Sequence, residues 1–428
     1  MLIKIYVSTR VVNSIARQIE FLKGKGLNHK QLAAIRRRLF ELYIFIHNEQ
    51  ITQYEKKFPL KEHRYNPFDE FVNLHCSRLR RFRITRNKIS FSHQCLLNIL
   101  IDEDLIEVNS KYSSGKFSKS YRISKSSVDG RYNGVKVNLD LVYHKDIKAR
   151  EYWVEMYPNH ASLITNTYNA KINIDELINW LTINQGVEIK PKPNRNGKMI
   201  KRYLTPELAY YYINKCLRVN FGDLWFSVCD AGRFYSNVVN LPNVCIPFLE
   251  LYNQKNLLSI DIPNAQPLLL GKFIKCPKYR YDTQSGKFYD NLSRAIFLLK
   301  TPHEDFNSLT IKEKNKLREE TKIATFRYIF FNNNPLKGGV LFNSMETLYP
   351  GVMEQVNIIK SNSKLSQVLQ GLESEIIVDG VGMNPDLLVI TKHDEVLFIP
   401  EMAEYVMAEI QNKLMEYGFK VKLRINPL

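Results

Sequence analysis

Two short apolar runs constrain this chain more than any other feature. Leu257-Leu258-Ser259-Ile260 ends on Asp261, and Leu387-Leu388-Val389-Ile390 leads through Thr391, Lys392 and His393 to Asp394 and Glu395, after which Val396-Leu397-Phe398 resumes. Each run has the length and aliphatic content of a strand covered on both faces. Each aspartate then closes a buried strand, and both can stand at the surface of one sheet. A single aspartate after a strand is usually a turn residue. Two carboxylates presented on rigid elements are what a divalent cation needs when phosphoryl groups are to be moved.

A second pattern lies between them. Arg318, Lys322, Phe326 and Phe330 recur every four residues. On an α-helix a four-residue step advances about 400°, so the four side chains fall within an arc of about 120°. One face presents two cations and then two rings, suited to a triphosphate followed by a sugar and base. An ordinary amphipathic helix gathers rings on one face but does not add Arg and Lys to it. Two further elements flank the first strand and precede the second: Asp230-Ala231-Gly232-Arg233-Phe234-Tyr235-Ser236 followed by Asn240-Leu241-Pro242-Asn243, and Leu369-Gln370-Gly371-Leu372-Glu373-Ser374-Glu375-Ile376.

In that order the elements resemble family A DNA polymerases, the class of bacterial DNA polymerase I, and more distantly single-subunit phage-type RNA polymerases. The resemblance covers about residues 225–428. It implies an α+β chain: a right-hand palm built on an antiparallel sheet, with helical fingers at about 275–345 and a small thumb. It implies nucleotidyl transfer from dNTPs to a 3′-hydroxyl with two Mg2+ ions, Mn2+ being the alternative. Asp261, Asp394 and Ile262 would form the metal set, with Glu395 as a supporting carboxylate. Arg318, Lys322, Phe326, Phe330 and Gln266 would meet the nucleotide, and Arg233, Gln370 and His393 the DNA primer–template. Gln266 stands where the family has a glutamate against the ribose 2′-hydroxyl, and Phe330 where a tyrosine is usual. The missing tyrosine hydroxyl argues for deoxynucleotides, whereas the Asp-x-Gly-Arg-x-Tyr spacing at 230–235 is nearer the RNA polymerases. An RNA-synthesising or primase-like enzyme therefore stays open, as does RNA as template or primer. No Asp-x-Glu with a later partner aspartate points to a proofreading exonuclease.

Ahead of this, residues 1–65 read as a helical leader, with Arg36-Arg37-Arg38 on the polar side of a helical stretch. Residues 78–88 hold six basic side chains and no acid. Ser92 is suited to cap a helix running to about Leu100, Asp102-Glu103-Asp104 turns the chain, and strands over 105–108 and 119–123 pair across Ser113-Ser114-Gly115. This order resembles a winged helix over 66–125, which implies DNA binding. The helix bearing Ser92, His93 and Gln94 would face a groove, and Arg80, Arg81, Arg83, Lys111, Lys116, Lys119 and Arg122 would meet phosphates. Residues 126–225 read as a helical, thumb-like or linking region, with 190–202 as a basic loop containing Pro191, Pro193 and Gly197. The polymerase region then occupies 226–428.

Charge agrees with a polyanionic partner. Against 61 Lys and Arg stand 43 Asp and Glu in 428 residues, a formal charge of +18. No apolar run approaches the ~20 residues that span a bilayer, and the N-terminus lacks a cleavage site, so neither membrane insertion nor secretion is expected and the location is read as cytoplasmic. Six cysteines without a C-x-x-C pair point to neither zinc nor disulfides. The expected role is replication of a phage or mobile element, against the alternative of a DNA-binding initiator or regulator whose polymerase fold is idle.

Overall fold

The computed structural model describes residues 2–57, 67–86, 89–109, 119–138, 142, 148–193, 199–392 and 394–428. The fold is mixed α+β with small antiparallel sheets. The chain divides into two compact units, each assembled from two segments: residues 1–147 with 172–223, and residues 148–171 with 224–428. Part of the stretch read as thumb-like or linking thus belongs with the unit that contains Asp261 and Asp394. No helix among the described residues is long and apolar enough to cross a membrane.

The first unit opens with a strand, not a helix. Leu2–Ser8 pairs antiparallel with Tyr132–Asn138 along its whole length. Ile5 and Val7 are fully buried, and β-branched residues there are satisfied by a partner strand 130 residues away, which local periodicity does not reveal. Helices Thr9–Gly24 and His29–Lys57 follow. The middle of the second helix is buried all round, and its polar side chains finish neighbouring backbone: Gln50 accepts the Ile123 N–H at 3.0 Å and donates to the Glu70 carbonyl at 2.9 Å.

The helix–turn–hairpin order expected near residue 92 is present. Ser92 Oγ accepts the Cys95 N–H at the start of His93–Asp102, and Ile106–Asn109 pairs with Ser120–Ile123. Val72–Asn73 adds a third strand. The turn with Lys111, Lys116 and residues 113–115 lies outside the described residues. Within the basic stretch 190–202, expected as a loop, residues 190–193 and 199–202 instead belong to the paired strands Glu188–Pro193 and Met199–Tyr203, while 194–198 lie outside the described residues. An isolated two-stranded ribbon leaves outward positions that need no ladder N–H, so prolines do not exclude it.

The second unit is organised by one four-stranded antiparallel sheet in the order Val389–Lys392, Glu395–Phe398, Leu258–Asp261, Arg424–Pro427. Ile260, Val389, Val396 and Phe398 are fully buried. Helix Ala161–Tyr168 binds the sheet edge through buried Asn166, whose amide donates to the carbonyls of Leu387 and Val389 at 3.0 Å each. Helix Ala403–Glu416 buries Val406, Ile410 and Leu414, a stripe at helical spacing. Helices Phe288–Lys300, Ile311–Ala324 and Val340–Leu348 pack together, the second started by a Thr310–Glu313 capping box.

Ile311–Ala324 does not continue as an α-helix. It widens into a π-helix over Thr325–Phe330, where Thr325 Oγ1 donates back to the Thr321 carbonyl at 2.8 Å. The single α-helical arc expected for Arg318 to Phe330 therefore holds only for its first half, because a π-turn takes more residues and rotates the side chains beyond it.

Candidate active site

The ends of the two apolar runs meet. Asp261 is the direct cross-strand partner of Glu395, and the Ile262 N–H donates to the Asp394 carbonyl oxygen at 3.3 Å, pinning the turn that carries Asp394 against the end of the neighbouring strand. On its other side Asp261 faces Arg424. Two carboxylates directly opposite one another repel, a cost that sheets ordinarily avoid. Although the Asp261 side chain reaches the surface, the protein around it strips away water. That desolvation, with the charges of Asp394, Glu395 and Glu373 against the opposing pull of Lys322, raises its carboxyl to about 7. Such crowding is more typical of functional sites than of structural ones.

These carboxylates fit a divalent cation. The donors are hard oxygens on a rigid sheet, and their mutual repulsion is the energy that a cation would relieve. Among the described residues no three His, Cys, Asp or Glu side chains form a ready-made cage. A carboxylate pair with a neighbour can serve a cation such as Mg2+, which commonly takes one or two carboxylates and completes its shell with water and phosphate.

A second cluster adjoins the first. Arg233 Nη2 lies 2.6 Å from Glu373 Oε1 and donates to Oε2 at 2.8 Å, while Gln266 Nε2 donates to the same Oε2 at 2.9 Å. The Glu373 side chain is 2% exposed. Burial raises its carboxyl, and Arg233 opposes the rise. Gly232, at φ +77°, makes the turn that delivers Arg233; a β-carbon there would lie 3.3 Å from Ser374 Cβ, so both conformation and space call for glycine. Three elements far apart in the chain are joined by Glu373, to which the sequence alone assigns no role. A signal was present: Leu365, Leu369, Leu372 and Glu373 follow i, i+4, i+7, i+8, placing a carboxylate on an apolar stripe. Gln266 is buried with its amide engaged. Gln370, on the same helix as Glu373, is half-buried, and His393 lies outside the described residues.

On the neighbouring helices, Arg318 Nε contacts Asp290 Oδ1 at 2.9 Å and its guanidinium lies 5.7 Å from the Tyr289 ring. Lys322 is exposed and close enough to stabilise the Asp261 carboxylate. Phe326 meets Phe330 edge-on at 5.5 Å, but Phe330 is only 1% exposed. The exposed ring is Phe331, stacked on Phe326 at 5.7 Å. Downstream of the π-turn, a neighbour of the expected residue thus reaches the surface.

In the first unit the candidate DNA contacts divide in two. Arg80, Arg83 and Lys119 are exposed. Arg81 is packed over Phe45 at 4.2 Å and Phe82 at 5.2 Å, and Arg122 holds Glu107 at 2.6 Å while covering Phe71 at 4.5 Å. These two are occupied by their own fold. Ser92 is occupied as the cap, His93 is half-buried, and Gln94 donates to Asn98 at 2.9 Å. Lys116 lies outside the described residues. A cavity of about 450 Å³ is lined by Arg10, Arg17, Arg131 and Asp129 among others. Its arginines pair with Asp104, Glu103 and Asp129, so it carries little net charge.

No family model matches the chain, and no curated protein matches it.

Proposed function

We propose that this protein is a template-directed nucleotidyltransferase, and within that class a DNA polymerase of the family A type. The observation that carries the reading is the meeting of Asp261 and Asp394 at one end of the two central strands of an antiparallel sheet, with Lys322 on a separate helix acting on the same carboxylate. The sheet is the palm of this reading, and the helices bearing Tyr289, Arg318 and Lys322 are its fingers. Asp261 and Asp394 would hold Mg2+, with Glu395 beside them; when bound, the cation neutralises charge on the attacking and departing oxygens. Lys322 and Arg318 meet the triphosphate of a dNTP, Arg318 exchanging Asp290 for phosphate. Arg233, held by Glu373, and Gln370 line the primer–template side. Extension of a labelled primer on DNA and RNA templates, with dNTPs and NTPs offered separately, tests the proposal. Template-ordered dNTP incorporation is expected, NTP incorporation alone would move the reading to RNA synthesis, and no incorporation of either would overturn it.

The raised Asp261 carboxyl gives a pH dependence with a definite sign. Its ordinary value is 3.8 and its folded value about 7, so between these the folded state holds a proton that the unfolded chain has lost. The contribution to stability is fully present below the unfolded value and is lost as pH rises through the folded one. Without divalent cation, the melting temperature of the second unit should fall between pH 5 and 7.5. Mg2+ should restore it, and more at pH 7.5 than at pH 5.5, where it competes with the proton. A Mg2+-induced shift that is equal at both values in a calorimeter would count against the carboxylate site.

DNA binding by the winged-helix-like part of the first unit rests on Arg80, Arg83 and Lys119. Replacing all three by Ala should weaken duplex DNA binding by about tenfold or more and flatten the salt dependence by roughly two to three charges, with melting unchanged. Fluorescence anisotropy across a salt series checks this. Unchanged affinity and slope would remove the DNA-binding role from this surface.

A further inference from the structure

Tyr289 belongs to none of the motifs that carry the polymerase reading, yet it lies on one of the helices assigned to its fingers. It is the second residue of helix Phe288–Lys300 and is 2% exposed. Its ring meets Phe288 edge-on at 5.0 Å, and the Arg318 guanidinium lies 5.7 Å from the ring centroid. Its hydroxyl, fully withdrawn from solvent, has no hydrogen-bond partner among the described residues. Buried polar atoms nearly always find one, and those that do not tend to mark a place where a ligand or water belongs. After burial itself, the charges acting on the phenol are Arg318, Glu319 and Asp394. The ring thus lies beside the cation of the neighbouring helix, and the charge of Asp394, one acid of the candidate metal pair, is felt at the phenol.

The chemistry of the missing acceptor follows from those neighbours. A phenol at neutral pH donates a hydrogen bond. An acceptor beside a guanidinium and a cation-binding aspartate is best satisfied if it is anionic and oxygen-based, because it then meets the arginine, the phenol and a bound cation together. A phosphate oxygen meets all three conditions. A base edge would meet only the phenol.

We propose that the Tyr289 hydroxyl binds the triphosphate of the incoming nucleotide, donating a hydrogen bond to a phosphate oxygen beside Arg318. The inference rests on the polymerase reading and adds a contact from a helix that carries none of its motifs. Tyr289→Phe keeps the ring and removes only the donor. With Mg2+ present, the variant should bind inorganic tripolyphosphate and each dNTP about tenfold more weakly by isothermal titration calorimetry. Its ligand-free melting temperature should be equal to or above wild type, because a buried unpartnered hydroxyl has been removed. Wild-type tripolyphosphate affinity in the variant would overturn the proposal while leaving the polymerase reading intact. Weaker dNTP binding with unchanged tripolyphosphate binding would place the hydroxyl on sugar or base and also overturn it. A lowered ligand-free melting temperature that accounts for the lost affinity would mark a packing role and do the same. If wild type binds neither probe and extends no primer, both readings fall together.

Discussion

Asp261→Ala and Asp394→Ala should each lower nucleotide incorporation by a thousandfold or more in kcat/KM while leaving DNA affinity near that of wild type. The expected size follows from the charge involved. A carboxylate that holds a cation against developing phosphoryl charge contributes several kcal/mol to the transition state, and each ~1.4 kcal/mol is a factor of about ten. DNA affinity survives because the exposed basic residues Arg80, Arg83 and Lys119 belong to the first unit. The variants should also differ from each other. Removing Asp394 takes away the strongest like charge acting on Asp261, so the Asp261 carboxyl should fall, though not to its ordinary value, because burial is the larger cause of its rise. Glu395→Ala should cost far less than either, since a supporting carboxylate is not the cation's main anchor. Single-turnover extension with and without each substitution measures all three, and incorporation unchanged in Asp261→Ala or Asp394→Ala would end the polymerase reading.

Glu373→Ala should be the most damaging substitution to stability. It leaves the Arg233 guanidinium, 17% exposed, without its partner, and removes the acceptor of the Gln266 amide. Breaking a buried ion pair from one side costs about 3–5 kcal/mol, because a desolvated charge is left uncompensated. The paired replacement Arg233→Met with Glu373→Leu should recover the part of that loss due to the uncompensated guanidinium, since an apolar pair of similar volume avoids desolvating a charge, while the buried Gln266 amide still lacks its acceptor. Trp153 and Trp225 lie in the second unit and Trp180 in the first, so urea unfolding followed by fluorescence in a Trp180→Phe background reports on the relevant unit. A single-variant loss below about 1 kcal/mol would mean that Glu373 and Arg233 are effectively solvated and that the cluster is incidental.

Legibility in the sequence varied with the distance over which each feature is decided. The cap at Ser92, the helix after it and the hairpin pairing 106–109 with 120–123 were readable because their hydrogen bonds close within a few residues or one turn. The strands ending on Asp261 and preceding Asp394 were readable because continuous aliphatic runs of that length have few other uses. The strand Leu2–Ser8 was not, since its partner lies far along the chain, nor was the hairpin at 188–203, where prolines and basic residues imitate a loop. Within the helices that carry Arg318 to Phe330, uniform four-residue spacing concealed the π-turn at Thr325–Phe330, and so did not show that Phe330 would be buried and Phe331 exposed.

The sequence by itself determined the residue types available for chemistry: two aspartates beside strand-like apolar runs, an arginine and a lysine four apart on a helix, and an excess of positive charge. Those properties are local or additive, so no fold is needed to read them. Only the tertiary structure decided that Asp261 and Glu395 sit opposite one another, that Lys322 acts on the same carboxylate, that Glu373 joins Arg233 to Gln266, and that Arg81 and Arg122 are spent on their own unit's packing. Each of these depends on which side chains lose their water together. Desolvation belongs to the packed arrangement and not to any residue, so a carboxyl near 7 and an unpartnered phenol at Tyr289 appear only after the chain has folded.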